Sequence, residues 1–327
     1  MSNRRPGRPP APALSAVGRA RTPEPAPAVV PPTDGPTSTA RIDVERGSPP
    51  EHLFRRLLSA YLAGARGFEV LERPTLSAAT RGVVEEFCRR TRQPEVVGQQ
   101  RDRLTVRDAD VGDTDGLDDR LLHLGTLVVR FHREAVASWD RLSFEDDRSW
   151  ERRDDDIDRE AWYLERCIAR AEEAGPSRPA TSAWTVARSL ERIADHAVAL
   201  GELGPRLTDL GPDGGPAREL RQFHRQAMAH LEEVLASPDG SRANDLLDVG
   251  EALLTAGRAL SERLLPAVGD GSMAPAAAAA VARALEAIAR TVAYAQDIAQ
   301  AFFDRSGGTP RTIDAEGVRT VSLPSAV

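Results

Sequence analysis

Glu191 and Asp195 stand four residues apart in the run RSLERIADHAVALGE, Arg188 to Glu202. Upstream, Asp154 and Asp158 repeat that spacing inside DDDID. Positions i and i+4 share one face of a helix. Like charges there repel, so neither pair helps its own helix. Two such helices packed side by side would gather four carboxylates in one groove. That donor set invites a polyvalent cation, and oxygen ligands alone favour magnesium, calcium, manganese or iron over copper. Asp155 and Asp156 are further candidate ligands. The same residues also fit an acidic face neutralised by arginine, because Arg153, Arg159, Arg188 and Arg192 lie close in sequence. Spacing alone leaves both readings open. His196 adjoins Asp195 but points about 100° away around the helix. It reads as a packing or surface histidine.

The elements that must position these acids are helices. Ile157, Ala161, Leu164 and Ile168 form one apolar stripe, and Val186, Leu190, Ile193, Ala197 and Leu200 form another. An earlier stripe runs through Leu121, Leu124, Val128, Phe131, Ala135 and Trp139. Gly175-Pro176 and Gly204-Pro205 close the second and third helices. Gly211 to Pro216 is a linker by composition. Three more helices follow, near 217–235, 243–265 and 274–305, separated by Ser237-Pro238-Asp239-Gly240 and Gly269-Asp270-Gly271. Three helices, a break and three helices make an internal repeat, expected as two antiparallel bundles in tandem.

The run LERIADHAV, preceded by DDDIDREAWYLER, resembles the PhoU family of phosphate-uptake regulators. The resemblance covers Leu117 to Arg305 and rests on two copies of the E/D-x-x-x-D motif on consecutive helices. It implies two three-helix bundles. It also implies that Asp154, Asp158, Glu191 and Asp195 hold a divalent or iron metal ion. In the second bundle Glu286 keeps its place, but Arg290 stands where the matching Asp would be. Asp245 and Asp248 are three apart rather than four. One metal site at most is therefore expected, in the first bundle, with Arg290 free to pair with Glu286.

The expected fold class is mostly α: a tandem pair of three-helix bundles preceded by a small α+β unit and a disordered N-terminal tail. Residues 1–47 are rich in Pro and Ala and carry Arg4, Arg5, Arg8, Arg19 and Arg21, which reads as a solvated basic tail. Residues 48–112 read as the α+β unit. Ser48-Pro49-Pro50-Glu51 suits a helix start with a capping box, a second helix runs over 76–91, and strands fall near 68–71, 95–97 and 103–106. The unit looks too small to be very stable alone and is expected to pack on the helices. The bundles are assigned to 113–210 and 216–306, and 307–327 to a C-terminal tail. The α+β unit also matches a segment of archaeal family members, where it follows an AbrB-like swapped hairpin. That hairpin is missing here, although Thr320 to Pro324 spells a strand of its type.

Composition narrows function. The 327 residues are 41% hydrophobic, 28% charged and 5% aromatic, as in a globular protein with an aliphatic core. The net charge of -7 argues against a general nucleic-acid binder. Cys88 and Cys167 form no disulfide framework or metal spacing. No window holds the ~18 apolar residues of a membrane span, and no signal core is present, so a cytoplasmic location is expected. Glu-x-x-His pairs, nucleophile motifs and phosphate loops are missing, which speaks against an enzyme. The family resemblance implies a negative regulator of phosphate uptake. Its partners would be a phosphate ABC transporter's ATPase or a signalling kinase, and it would usually be a dimer. The alternatives are a DNA-binding transcriptional regulator and a metal-free helical scaffold.

Overall fold

The computed structural model describes residues 39–108, 116–140, 148–172, 178–208, 215–264 and 273–307, with two short strands at 312–313 and 319–320. The first segment is a four-stranded sheet with two helices. Strand β1 (Thr39–Asp43) pairs parallel with β2 (Gly67–Leu71). Strand β4 (Arg103–Asp108) lies antiparallel between β2 and β3 (Pro94–Gln99), giving the order β1-β2-β4-β3. Helix α1 (Pro50–Leu62) crosses from β1 to β2, and α2 (Ala78–Arg90) leads into β3. The expected boundary at residue 48 is therefore late. Residues 39–43 fell in the expected tail, yet they alternate exposed and buried as an edge strand does. A five-residue strand flanked by Pro and Gly carries too little pattern to stand out from a Pro/Ala-rich tail.

Local chemistry sets both helices. Pro49 occupies the N-cap of α1 and no side chain caps it, so Ser48 does not take the capping role. In α2, Ser77 accepts the Thr80 amide at 3.0 Å, and Glu72 accepts the Ser77 amide at 2.7 Å. Leu57 and Tyr61 of α1 and Val84 and Phe87 of α2 fill a core with Phe68, Val70, Leu104 and Val106 from the strands. Phe87 is its hub, edge-on to Phe68 at 5.3 Å, Tyr61 at 6.0 Å and Phe54 at 6.3 Å.

Six helices follow: α3 (Leu117–Ala137), α4 (Arg148–Glu172), α5 (Arg178–Thr208), α6 (Gly215–Leu235), α7 (Ala243–Leu264) and α8 (Pro275–Arg305). They form the expected pair of three-helix bundles, α3–α5 and α6–α8. One apolar core runs through both, because α5 and α8 pack along each other. All three stripes read from the sequence face it. Helix α5 does not stop at Gly204-Pro205 but continues to Thr208 with Pro205 inside its last turns. Leu203 and Leu207 are both buried there, and that packing outweighs the lost amide donor. The breaks at 175–176 and 269–271 lie outside the described residues, as do residues 211–214 of the linker. So do residues 1–38 and all of the proposed C-terminal strand except Thr320, which pairs with Thr312. Among the described residues no helix is long and apolar enough to cross a membrane.

Helix α4 joins the two parts. Its residues 161–168 are buried on every side: Ala161, Leu164 and Ile168 enter the bundle core, while Trp162 enters the core of the α+β unit. Between the two cores lies a buried ion cluster. Arg166 donates to Asp108 and, at 2.8 Å, to the Tyr61 carbonyl, and its guanidinium lies 4.3 Å from the Tyr61 ring. Arg170 reaches the same Asp108 oxygen at 3.3 Å. The Asp108 and Arg166 side chains are each 1% exposed. Removing one partner of such a cluster leaves buried charge uncompensated. Asp108→Ala is expected to lower unfolding free energy by about 3–5 kcal/mol and to expose residues 39–108 to protease first. Urea denaturation with limited proteolysis checks both, and an Asp108→Ala chain as stable as the parent would contradict this assignment.

Candidate functional site

Helices α4 and α5 pack side by side, and their acidic residues line the seam between them. Asp158 directly follows the core residue Ile157 on α4, with Asp154 one turn before it, and Glu191 and Asp195 directly follow Leu190 and Ala194 on α5. The structure therefore brings together the two pairs picked out by spacing. Burial varies along the seam. Asp158 is 8% exposed, Asp154 and Glu191 are half-buried, and Asp195 is the most exposed of the four. Asp155 is half-buried beside them, whereas Asp156 faces outward and pairs with Arg159 at 3.2 Å.

The seam is short of positive charge. Burial first, then the charges of Asp195, Glu191 and Asp155, push the Asp154 carboxyl up to about 7, against the pull of Arg90. Asp158 is likewise pushed up to about 7, by burial and then by Asp154 and Glu191, again opposed by Arg90. Glu191 is raised by burial and by Asp195, and Asp195 by burial against Arg192. The Asp154 Oδ1 atom is buried with no hydrogen-bond partner.

Two residues of this site were not singled out in the sequence. Glu165 extends the α4 acidic face seven residues beyond Asp158. It is buried and lies 3.5 Å from Arg188 of α5. The heptad spacing from Asp158 was its available signal. The other is Arg90, in the last turn of α2. Its guanidinium meets Asp155 at 2.8 Å and Asp158 at 3.0 Å. It also lies 5.2 Å from the Trp162 ring and 5.5 Å from the Phe54 ring. No local pattern announces a contact between residues so distant in sequence. The arginines expected to neutralise the acids by proximity are mostly engaged elsewhere. Arg153 donates to Glu134, Arg159 binds Asp156 and the Arg89 carbonyl, and Arg188 takes Glu165.

The donors suit a hard cation in type and charge. Their side chains do not stand as a formed coordination shell. Among the described residues no three His, Cys, Asp or Glu side chains are gathered closely enough to hold a metal ion. The orphaned Asp154 oxygen and the mutual repulsion across the seam are what a bound cation would relieve. The second bundle lacks this arrangement. Asp245, Asp248, Glu286 and Arg290 are exposed, and no Glu286–Arg290 ion pair forms among the described residues. Both instead act on His196, which turns to α8 and stacks on Tyr294 at 5.9 Å.

The raised carboxyls give the seam a signed pH dependence. A group whose folded value lies above its ordinary 3.8 favours folding at low pH and loses that contribution as pH rises through about 7. Asp155, Asp158, Glu191, Asp195 and Arg90 all face Asp154. In chelator, Asp154→Asn should therefore raise Tm by a few degrees at pH 8 and by almost nothing at pH 4. Thermal melts across that range check it, and an equal gain at both ends would contradict it.

Comparison with known proteins agrees with the helical fold. Residues 121–203, from α3 into α5, match the family model described as the PhoU domain. None of the curated proteins matches the chain. Among solved structures, the phosphate transport system regulatory protein PhoU from Streptococcus pneumoniae is similar. It is 19% identical, with a TM-score of 0.52, over 60% of this chain and 95% of that one. The first three-helix bundle thus matches the PhoU domain model, and the chain is PhoU-like in fold, carrying a small α+β unit on the outer face of α4.

Proposed function

We propose that this chain is a PhoU-like negative regulator of phosphate uptake, working as a metal-binding helical adaptor in the cytoplasm. One observation carries the reading. A PhoU domain presents two carboxylate pairs along the α4–α5 seam, with too little positive charge to balance them. Asp154, Asp158, Glu191 and Asp195 would hold the ion. A divalent or iron cation would supply the neutralising charge that the seam lacks. The acids themselves would set where it binds, Asp158 from the buried side and Asp195 from the more exposed side. The Streptococcus pneumoniae protein is named for phosphate transport, and the shared fold supports a partner of the same kind: the ATPase of a phosphate ABC transporter, or a signalling kinase. Regulation would act through contact of helical faces, as a monomer or a homodimer, without chemistry on a substrate.

The test pairs metal content with uptake. Elemental mass spectrometry of purified protein should find metal at one site or cluster per chain, lost in the Asp158→Asn/Asp195→Asn double variant. Cells lacking the gene should take up phosphate faster when phosphate is plentiful, and the wild-type gene should restore restraint. Two equal metal sites per chain would contradict a first-bundle site. Unchanged uptake on deletion would overturn the regulatory reading.

A further inference from the structure

Arg90 is a cation that the chain brings to its own acidic seam. It arrives from the α+β unit, not from either bundle. Its guanidinium bridges Asp155 at 2.8 Å and Asp158 at 3.0 Å, and Asp158 keeps only 11% of its side chain exposed. The rings of Trp162 and Phe54 hold the guanidinium from behind. A cation seated on Asp158 would share that carboxylate with Arg90, and two like charges a few ångströms apart in a partly buried site repel. Resting on the cation reading given above, we propose that Arg90 is the seam's resident counter-ion: it holds Asp155 and Asp158 when no metal is bound, and competes with a divalent cation for Asp158.

Two consequences follow from linkage. Whatever factor by which the cation weakens the Arg90 contact, Arg90 weakens cation binding by the same factor. The exchange is also local. Trp162 and the Asp108–Arg166–Arg170 cluster keep the α+β unit attached, so the part that loosens is the last turn of α2. Cation occupancy is thereby reported at the surface of the α+β unit, which gives that unit a role as a sensor of the seam. Arg92, two residues on, supplies the control. It pairs with Glu160 at 2.9 Å and lies 5.0 Å from the Tyr163 ring, away from the four seam acids.

The experiment is calorimetric titration of the full chain with manganese(II) chloride, for wild type, Arg90→Gln and Arg92→Gln. It is joined by hydrogen exchange over residues 85–92 of the wild type with and without manganese. The expected result is about tenfold tighter binding by Arg90→Gln, no change in Arg92→Gln, and faster exchange in the last turn of α2 when manganese is added. Binding by Arg90→Gln that is equal to or weaker than wild type, with manganese still bound, overturns the competition and leaves the cation site standing. No binding by any of the three chains overturns both. Should Arg90→Gln fail to fold by circular dichroism, the wild-type exchange decides alone: no change at saturating manganese overturns the proposal.

Discussion

The buried meeting of Asp108 with Arg166 and Arg170 is the constraint on which the rest of this molecule depends. Charges are costly to bury, and they stay in a dry interface only when geometry satisfies them. Here one carboxylate at the end of β4 answers two guanidiniums on α4. The contact leaves the α+β unit one way to sit on the bundle. With that seating fixed, Trp162 plugs the small unit's core and the last turn of α2 lies over the acidic seam. A unit of about seventy residues would have a marginal core by itself. Borrowing an aromatic from α4 completes it.

Much of the helical part was legible because its signal is periodic. Leu190, Ile193, Ala197 and Leu200 mark one face unambiguously, and the acidic pairs flank that face by one step. Their convergence also required α4 and α5 to pack side by side, which helix periodicity alone does not dictate. Two kinds of feature were not legible. Strand β1 is five residues beside a Pro/Ala-rich stretch, and its pairing with β2 is a long-range fact. Arg90 sits in the run CRRTR, which reads as an ordinary basic helix end. Which of those arginines reaches α4 depends on how the two cores dock. The helix runs past Pro205 for a related reason: the buried Leu207 beyond it outweighs the local stop signal.

The seam shows how a helical protein can keep a strained group of charges. Asp154, Asp158 and Glu191 face each other across two helices whose opposite sides are locked into the core by Ala161, Leu164, Leu190 and Ile193. The apolar packing sets the spacing and the acids must accept it. The repulsion is tolerated because it is small beside the burial that imposes it. Polar groups held against their preference in this way tend to lie where proteins bind something.

The two bundles repeat one plan, but the α+β unit covers only the first of them. Helix α4 is enclosed on all sides through its middle, whereas α7 shows solvent a broad outer face that includes Val249. The two outer helices are therefore unequally constrained. A change at Arg166 on α4 disturbs Tyr61 and Asp108 of the α+β unit as well. A change on the outside of α7 reaches neither residue. The half without a paired acidic motif is the half with no second core pressed against its outer helix.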